Sequence, residues 1–166
     1  KRSRTMTTPV VSFLLATHNR REAVRRTLDG IDACGLHPRE REIVAVDNAS
    51  TDGTPDALAH RLTRLLRPGR NLGSCAKALG LPHCTGRYVV FLDDDSHPDP
   101  GAIHAMIRRF EQDPALGAAG FAVHLPDGRQ ESAALPGVFV GCGVGFRARE
   151  GCLSGFCIMT ITTPSP

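Results

Sequence analysis

A chain of 166 residues suits one domain built on a single core. Hydrophobic residues make up 41% and charged residues 22%, an ordinary globular balance. With 20 Lys and Arg against 17 Asp and Glu, the formal net charge of +3 is too small to argue for nucleic acid, and no apolar run approaches the roughly 18 residues of a spanning helix.

The basic residues are scattered, apart from KRSR at residues 1 to 4 and RREAVRR at 20 to 26. The first reads as a solvated tail, so residues 1–8 are expected to be disordered. The second reads as one face of a helix, with peripheral contact to an anionic membrane surface as the alternative. The chain begins with Lys1 rather than Met, so the true N-terminus is expected at Met6 or upstream; no signal-peptide pattern is visible, and a cytoplasmic protein is expected, membrane-associated if that basic face binds lipid. Six cysteines form no C-x-x-C pair and no zinc-like spacing with His. Reduced, mostly buried thiols are expected.

In chain order, apolar runs of strand length alternate with helical patterns. VVSFLLA (10–16) predicts a strand. REAVRRTLDGIDAC (21–34) predicts a helix, with Ala23, Val24, Leu28 and Ile31 on one face. EIVAVD (42–47) predicts a second strand, and TPDALAHRLTRLL (54–66) a second helix started by Thr51 or Asp52. LGSCAKALGLPHC (72–84) predicts a third helix, weakened by Gly80 and ended near Pro82. RYVVFLD (87–93) is the next strand, and PGAIHAMIRRFEQD (100–113) an amphipathic helix with Pro100 in its first turn. GAAGFAVH (117–124) predicts a further strand. Continuous apolar strands separated by helices indicate a three-layer α/β/α domain with a mostly parallel sheet covered on both faces.

In such sheets ligands bind beyond the carboxyl ends of the strands. The polar residues follow that rule. Thr17-His18-Asn19-Arg20 follows the first strand, Asp47 to Gly53 the second, and Asp93-Asp94-Asp95 the strand at 87–93. Three loops are therefore expected to converge on one edge. In an extended segment Asp93 and Asp95 share a face, and paired hard carboxylate oxygens suit Mg2+ or Mn2+ held with substrate phosphates. The plain structural alternative is a solvated strand-to-helix turn. Asp47 ends its strand where no turn requires an acid, so its carboxylate could accept from a nucleobase or ribose. Asn19 and Arg20 could contact a base or phosphate, as could Arg70, Asn71 and Lys77 around the third helix. His18 reads as an exposed loop histidine rather than a base. Asn48-Ala49-Ser50 matches a glycosylation acceptor, which a buried strand end disfavours. There is no G-x-G-x-x-G and no P-loop pattern, which counts against dinucleotide and P-loop chemistry.

VSFLLATHNRREAVRRTL, VAVDNASTDGT, RNLGSCAKALGL and GRYVVFLDDDSHPDPGAI, in this order and spacing, resemble the family 2 glycosyltransferases of GT-A fold over roughly residues 9 to 156. The resemblance implies a nucleotide-diphosphate sugar donor, a UDP- or dTDP-sugar, and inversion at the anomeric carbon. It implies Asp47 on the nucleobase, with Asn48 beside it, and Thr17, Asn19 and Arg20 lining the nucleotide pocket. Lys77 stands where the family often has an arginine. Asp93 and Asp95 form a D-x-D element for Mn2+ or Mg2+, with Asp95 the metal ligand of choice, and Asp94 or Asp93 reaches the ribose or sugar. The implied acceptor is a glycan, a lipid-linked molecule or a small molecule, in cell-wall or polysaccharide synthesis. VGCGVGFRARE (140–150) resembles the family's strand before the acceptor-side segment.

The end departs from that pattern. Where an acidic motif with the general base is expected, the chain reads GCLSGFCIMTITTPSP, with no Asp, Glu or His after Phe156. An acceptor hydroxyl needs a base near neutral pH, so no catalytic residue is assigned. A shifted reading frame permits LHHDYYYAE over this stretch, and a frameshift near residues 150 to 156, truncating the domain, is the expectation that follows. The domain is thus expected over 9–150, with an atypical tail at 151–166. The alternative to a transferase is a non-catalytic nucleotide-sugar-binding fragment. A nucleotidyltransferase would carry a Gly-rich basic loop where ATHNR stands, and a phospho-acceptor receiver domain would take phosphate onto an Asp.

Overall fold

The computed structural model describes residues 8–125, 127–129, 143–148 and 160–161. The expected N-terminal tail, apart from Thr8, and nearly all of the expected atypical tail lie outside the described residues, as do Cys142, Cys152 and Cys157. The described strands are β1 (Val11–Thr17), β2 (Arg41–Asp47), β3 (Arg64–Leu66), β4 (Tyr88–Asp93), β5 (Ala118–Phe121), β6 (Val144–Arg147) and β7 (Thr160–Ile161). The α-helices are α1 (Arg21–Ala33), α2 (Thr54–Leu58), α3 (Ala76–Gly80) and α4 (Ala102–Gln112), with short 3-10 turns on either side of α3.

The strands form one sheet in the order β3-β2-β1-β4-β6-β5-β7. The β3-β2-β1-β4 half is parallel, and β6 runs antiparallel between β4 and β5. The sheet is therefore mixed at one side and parallel where the polar loops leave it. Alternation along β1 divides the core. Phe13 and Leu15 pack with Val24, Leu28 and Ile31 of α1 and with Ile103, Met106 and Phe110 of α4. Leu14, Val44 and Val89 face the opposite side, against Leu81 and Cys84. There α3 lies so close that a Cβ on Gly80 would collide with Leu14, so the glycine that weakens the helix also lets it dock.

The predicted helix over 54–66 is a correction. The helix stops at Leu58, and residues 64–66 join the sheet as β3, paired Val44↔Arg64 to Val46↔Leu66. Leu58, Leu62, Leu65 and Leu66 have helical spacing, but Leu65 instead covers the main core from an edge strand. The free edge of β2 supplies partners that a longer helix could not use. Pro100 stands two residues before α4 rather than in its first turn, and Gly101 at φ 85° takes the N-cap. The thiols are also less buried than expected. Of the three described cysteines, all free, Cys34 is buried, Cys84 partly buried and Cys75 exposed. Burial, reinforced by Glu42, pushes the Cys84 thiol up to about 12, so it stays protonated. The remaining predicted strands and helices are present within one to three residues of their expected ends, with α3 shortened and flanked by 3-10 turns. Among the described residues no helix is long and apolar enough to cross a membrane.

Candidate nucleotide and metal site

The parallel register sets the polar residues side by side. Thr17 pairs with Asp47 at the ends of β1 and β2, and Ala16 pairs with Asp93 across β1 and β4. The three loops that follow therefore leave the same edge of the sheet, as expected.

The first two loops lock together. Asn48 N donates to Thr17 O at 2.8 Å, extending the ladder by one bond. Asn19 N donates to Ser50 Oγ at 2.9 Å, and Asn19 Oδ1 accepts from Thr51 N at 2.7 Å. Holding this geometry puts Asn19 at φ 52° and Ala49 at φ 60°. Asparagine tolerates that region, but for alanine it costs roughly 1 kcal/mol, a strain of the kind that clusters at ligand sites. Asp52 Oδ1 accepts from Thr54 N at 3.0 Å and from the Thr54 hydroxyl, and its other oxygen accepts from Arg21 N. One carboxylate thus accepts from the first backbone N–H of both α1 and α2, whose N-caps are Arg20 and Gly53, and the Thr54 hydroxyl chiefly holds it below the usual range.

His18 and Asn48 are occupied by the scaffold. A carbonyl only accepts, so His18 Nδ1 donates to Asn48 O at 2.7 Å, and Nε2 then accepts from Asn19 Nδ2 at 3.3 Å. Both ring nitrogens are thus engaged within the scaffold. The Asn48 amide donates to Gly73 O at 3.0 Å and accepts from Leu72 N at 3.2 Å. It ties the loop before α3 to the end of β2 and keeps one N–H and one oxygen lone pair beyond these two bonds.

Asp47 is placed differently. It is 0% exposed, and Oδ1 accepts from Ser50 N at 3.2 Å. Oδ2 is buried with no hydrogen bond, although Arg67 Nε lies 3.3 Å away. A buried carboxylate oxygen without a donor is costly, and a ligand N–H or hydroxyl would relieve that cost. Thr17 is also buried, with its hydroxyl making no hydrogen bond of good geometry.

The aspartates sit on a turn rather than an extended segment. The strand ends at Asp93, and Ser96 N donates to Asp93 O at 3.2 Å. The turn divides the three side chains between two cations. Asp93 accepts from Lys77 Nζ at 2.7 Å, Asp95 accepts from Arg20 Nη1 at 2.5 Å, and Asp94 is buried 3.7 Å from the same Arg20 nitrogen. Burial pushes the Asp94 carboxyl up, against the pull of the nearby Thr17 hydroxyl and Arg20. Among the described residues no group of three or more His, Cys, Asp and Glu converges as a protein-only metal cage. The donor set instead fits a hard cation bound through one or two carboxylates and completed by phosphate oxygens.

Thr17, Asn19, Arg20, Asp47, Asn48, Lys77, Asp93, Asp94 and Asp95 thus all lie at this edge or on the helix facing it. Arg67 is the residue that sequence reasoning missed. It directly follows β3, and the expectation of a continuous helix hid the strand end that places it.

Residues 12–136 match the family model described as Glycosyl transferase family 2. The poly-beta-1,6-N-acetyl-D-glucosamine synthase of Staphylococcus aureus is 32% identical over 115 residues, covering 65% of this chain and 27% of the relative. That of Staphylococcus epidermidis is 32% identical over 114 residues. The chain therefore spans about a quarter (27%) of the length of these relatives. A mannosyltransferase of Pyrobaculum calidifontis, solved with GDP-Man and Mn2+, is 26% identical with a TM-score of 0.69 over 85% of this chain and 45% of that one. TarS of S. aureus, solved with UDP-GlcNAc, shares the fold at a TM-score of 0.71 and 15% identity, over 82% of this chain and 45% of that one.

Proposed function

Since the chain belongs to glycosyl transferase family 2, we propose that its described part is the donor-binding half of an inverting transferase that moves a sugar from a nucleoside diphosphate to an acceptor hydroxyl. The observation that supports this most is the single edge on which a buried Asp47 oxygen without a hydrogen bond, the cations Arg20, Lys77 and Arg67, and Asp93, Asp94 and Asp95 are gathered. Asp47 takes the base, Thr17 and Asn19 line the pocket, and Arg20 and Lys77 take the phosphates. Asp95, aided by Asp93, holds Mn2+ or Mg2+, and Asp94 or Asp93 faces the ribose or sugar. A divalent cation bound there would neutralise charge on the diphosphate leaving group. Nothing at this edge needs to bond covalently to the sugar. Direct attack from the face opposite the diphosphate inverts the anomeric centre.

The acceptor hydroxyl needs a general base, and none is assigned among the described residues. The relatives' names, which specify an N-acetylglucosamine polymer, favour an N-acetylglucosamine donor and a glycan acceptor, and the UDP-GlcNAc in the TarS structure favours UDP as the carrier. Thermal denaturation with Mn2+ tests the donor reading. UDP or UDP-GlcNAc raises the melting temperature, while inorganic phosphate does not. No shift with any nucleoside diphosphate would overturn it.

A further inference from the structure

We infer that Arg67 is a base-specificity residue, which with Asp47 reads a ring N–H and the carbonyl beside it and so selects uracil, thymine or guanine over cytosine and adenine. This rests on the donor reading above. The pair is a product of sheet register rather than of a chance surface contact. Val46 pairs with Leu66 in parallel strands, so Asp47, the last residue of β2, and Arg67, the first after β3, each come one residue beyond that pair. Asp47 is buried with one oxygen free of hydrogen bonds, and Arg67 Nε stands 3.3 Å from that oxygen while its side chain is 58% exposed.

The charge decides how a base enters. A neutral ring that expelled Arg67 would leave a buried carboxylate without its cation, an expensive state. The guanidinium therefore shifts but stays close, and its fork of N–H donors faces the atom next to the one that Asp47 accepts from. On uracil, thymine and guanine the ring N–H has a carbonyl oxygen beside it, which complements acceptor Asp47 and donor Arg67. On cytosine and adenine a ring lone pair would face Asp47 in place of the N–H, which is the mismatch that discriminates, and with Arg67 on the amino-group side the second contact is mismatched as well.

The test is calorimetric titration of the whole chain with UDP and with CDP, both with Mn2+, for the wild type and Arg67→Met. The wild type is expected to prefer UDP by about tenfold or more, the scale of a hydrogen bond to a charged group. Arg67→Met should weaken UDP by about tenfold and leave CDP nearly unchanged. Arg67→Lys keeps a cation beside Asp47 and should lie between the two, which covers the case in which the methionine variant folds poorly. Equal losses for UDP and CDP would make Arg67 a phosphate contact, and equal gains a mere plug. Either result, or equal wild-type affinities, would overturn this inference alone. A wild type that binds neither nucleotide would overturn the donor reading with it.

Discussion

The guanidinium of Arg20 lies 2.5 Å from a carboxylate oxygen of Asp95 and 3.7 Å from one of Asp94. It reaches them because β1 and β4 are parallel neighbours, so the loops after them leave the sheet together. Lys77 and Asp93 repeat the pattern at 2.7 Å. Each cation offsets a charge that a divalent ion would also offset, and each is free to turn to a phosphate once the carboxylates are held by metal.

Removing Arg20 should therefore separate two affinities. Arg20→Met is expected to tighten binding of Mn2+ alone by about two- to fivefold, the scale of an exposed ion pair. The same variant should weaken a nucleoside diphosphate in saturating Mn2+ by about tenfold, through loss of a charge-assisted contact. Paramagnetic resonance of free Mn2+ measures the first and calorimetry the second. A fall in Mn2+ affinity would contradict the exchange.

Gly80 is predicted to be needed for docking rather than for helix formation. Any side chain there meets Leu14, with Val46 close behind. Gly80→Val should cost about 1–3 kcal/mol in urea denaturation, as an overpacked contact between α3 and the sheet. A neutral or stabilising effect would show that α3 can lift without loss.

On the far side of the molecule, Asp32 sets an acid limit on stability. Burial works against its charge, but hydrogen bonds from Arg41 and Arg61, each 2.5 Å long, prevail and hold its carboxyl below the usual range. A depressed folded value stabilises above the unfolded value and is lost as pH falls through the folded one. The side chain is half-exposed, so the contribution is modest, at most about 1 kcal/mol. Asp32→Asn should flatten the loss of melting temperature below the ordinary carboxylate range and lower stability slightly at neutral pH. An unchanged acid slope would rule Asp32 out as its source.

Much of this edge was legible in the sequence, and for a physical reason. Strands buried on both faces leave runs such as VSFLLA and IVAV, and a carboxylate at the end of such a run has no structural excuse. Asp47 and Asp93 stood out on that ground. What stayed hidden depended on tertiary contacts. Leucines at 58, 62, 65 and 66 fit a helix as well as an edge strand, and only pairing with β2 decides for the strand. Misreading them hid Arg67. The structural part of Asn48 was hidden because the loop it clamps, at Leu72 and Gly73, lies 24 and 25 residues away. The aspartates were read as extended, whereas Ser96 closes them into a turn.

The most direct test of the account is the affinity of UDP for the wild-type chain and for Asp95→Asn, each titrated with and without Mn2+. The wild type is expected to bind UDP at least about tenfold more tightly with the metal, and Asp95→Asn to bind it equally in both conditions. Equal affinity of the wild type with and without Mn2+ would contradict the reading of the aspartate turn as a metal and diphosphate site.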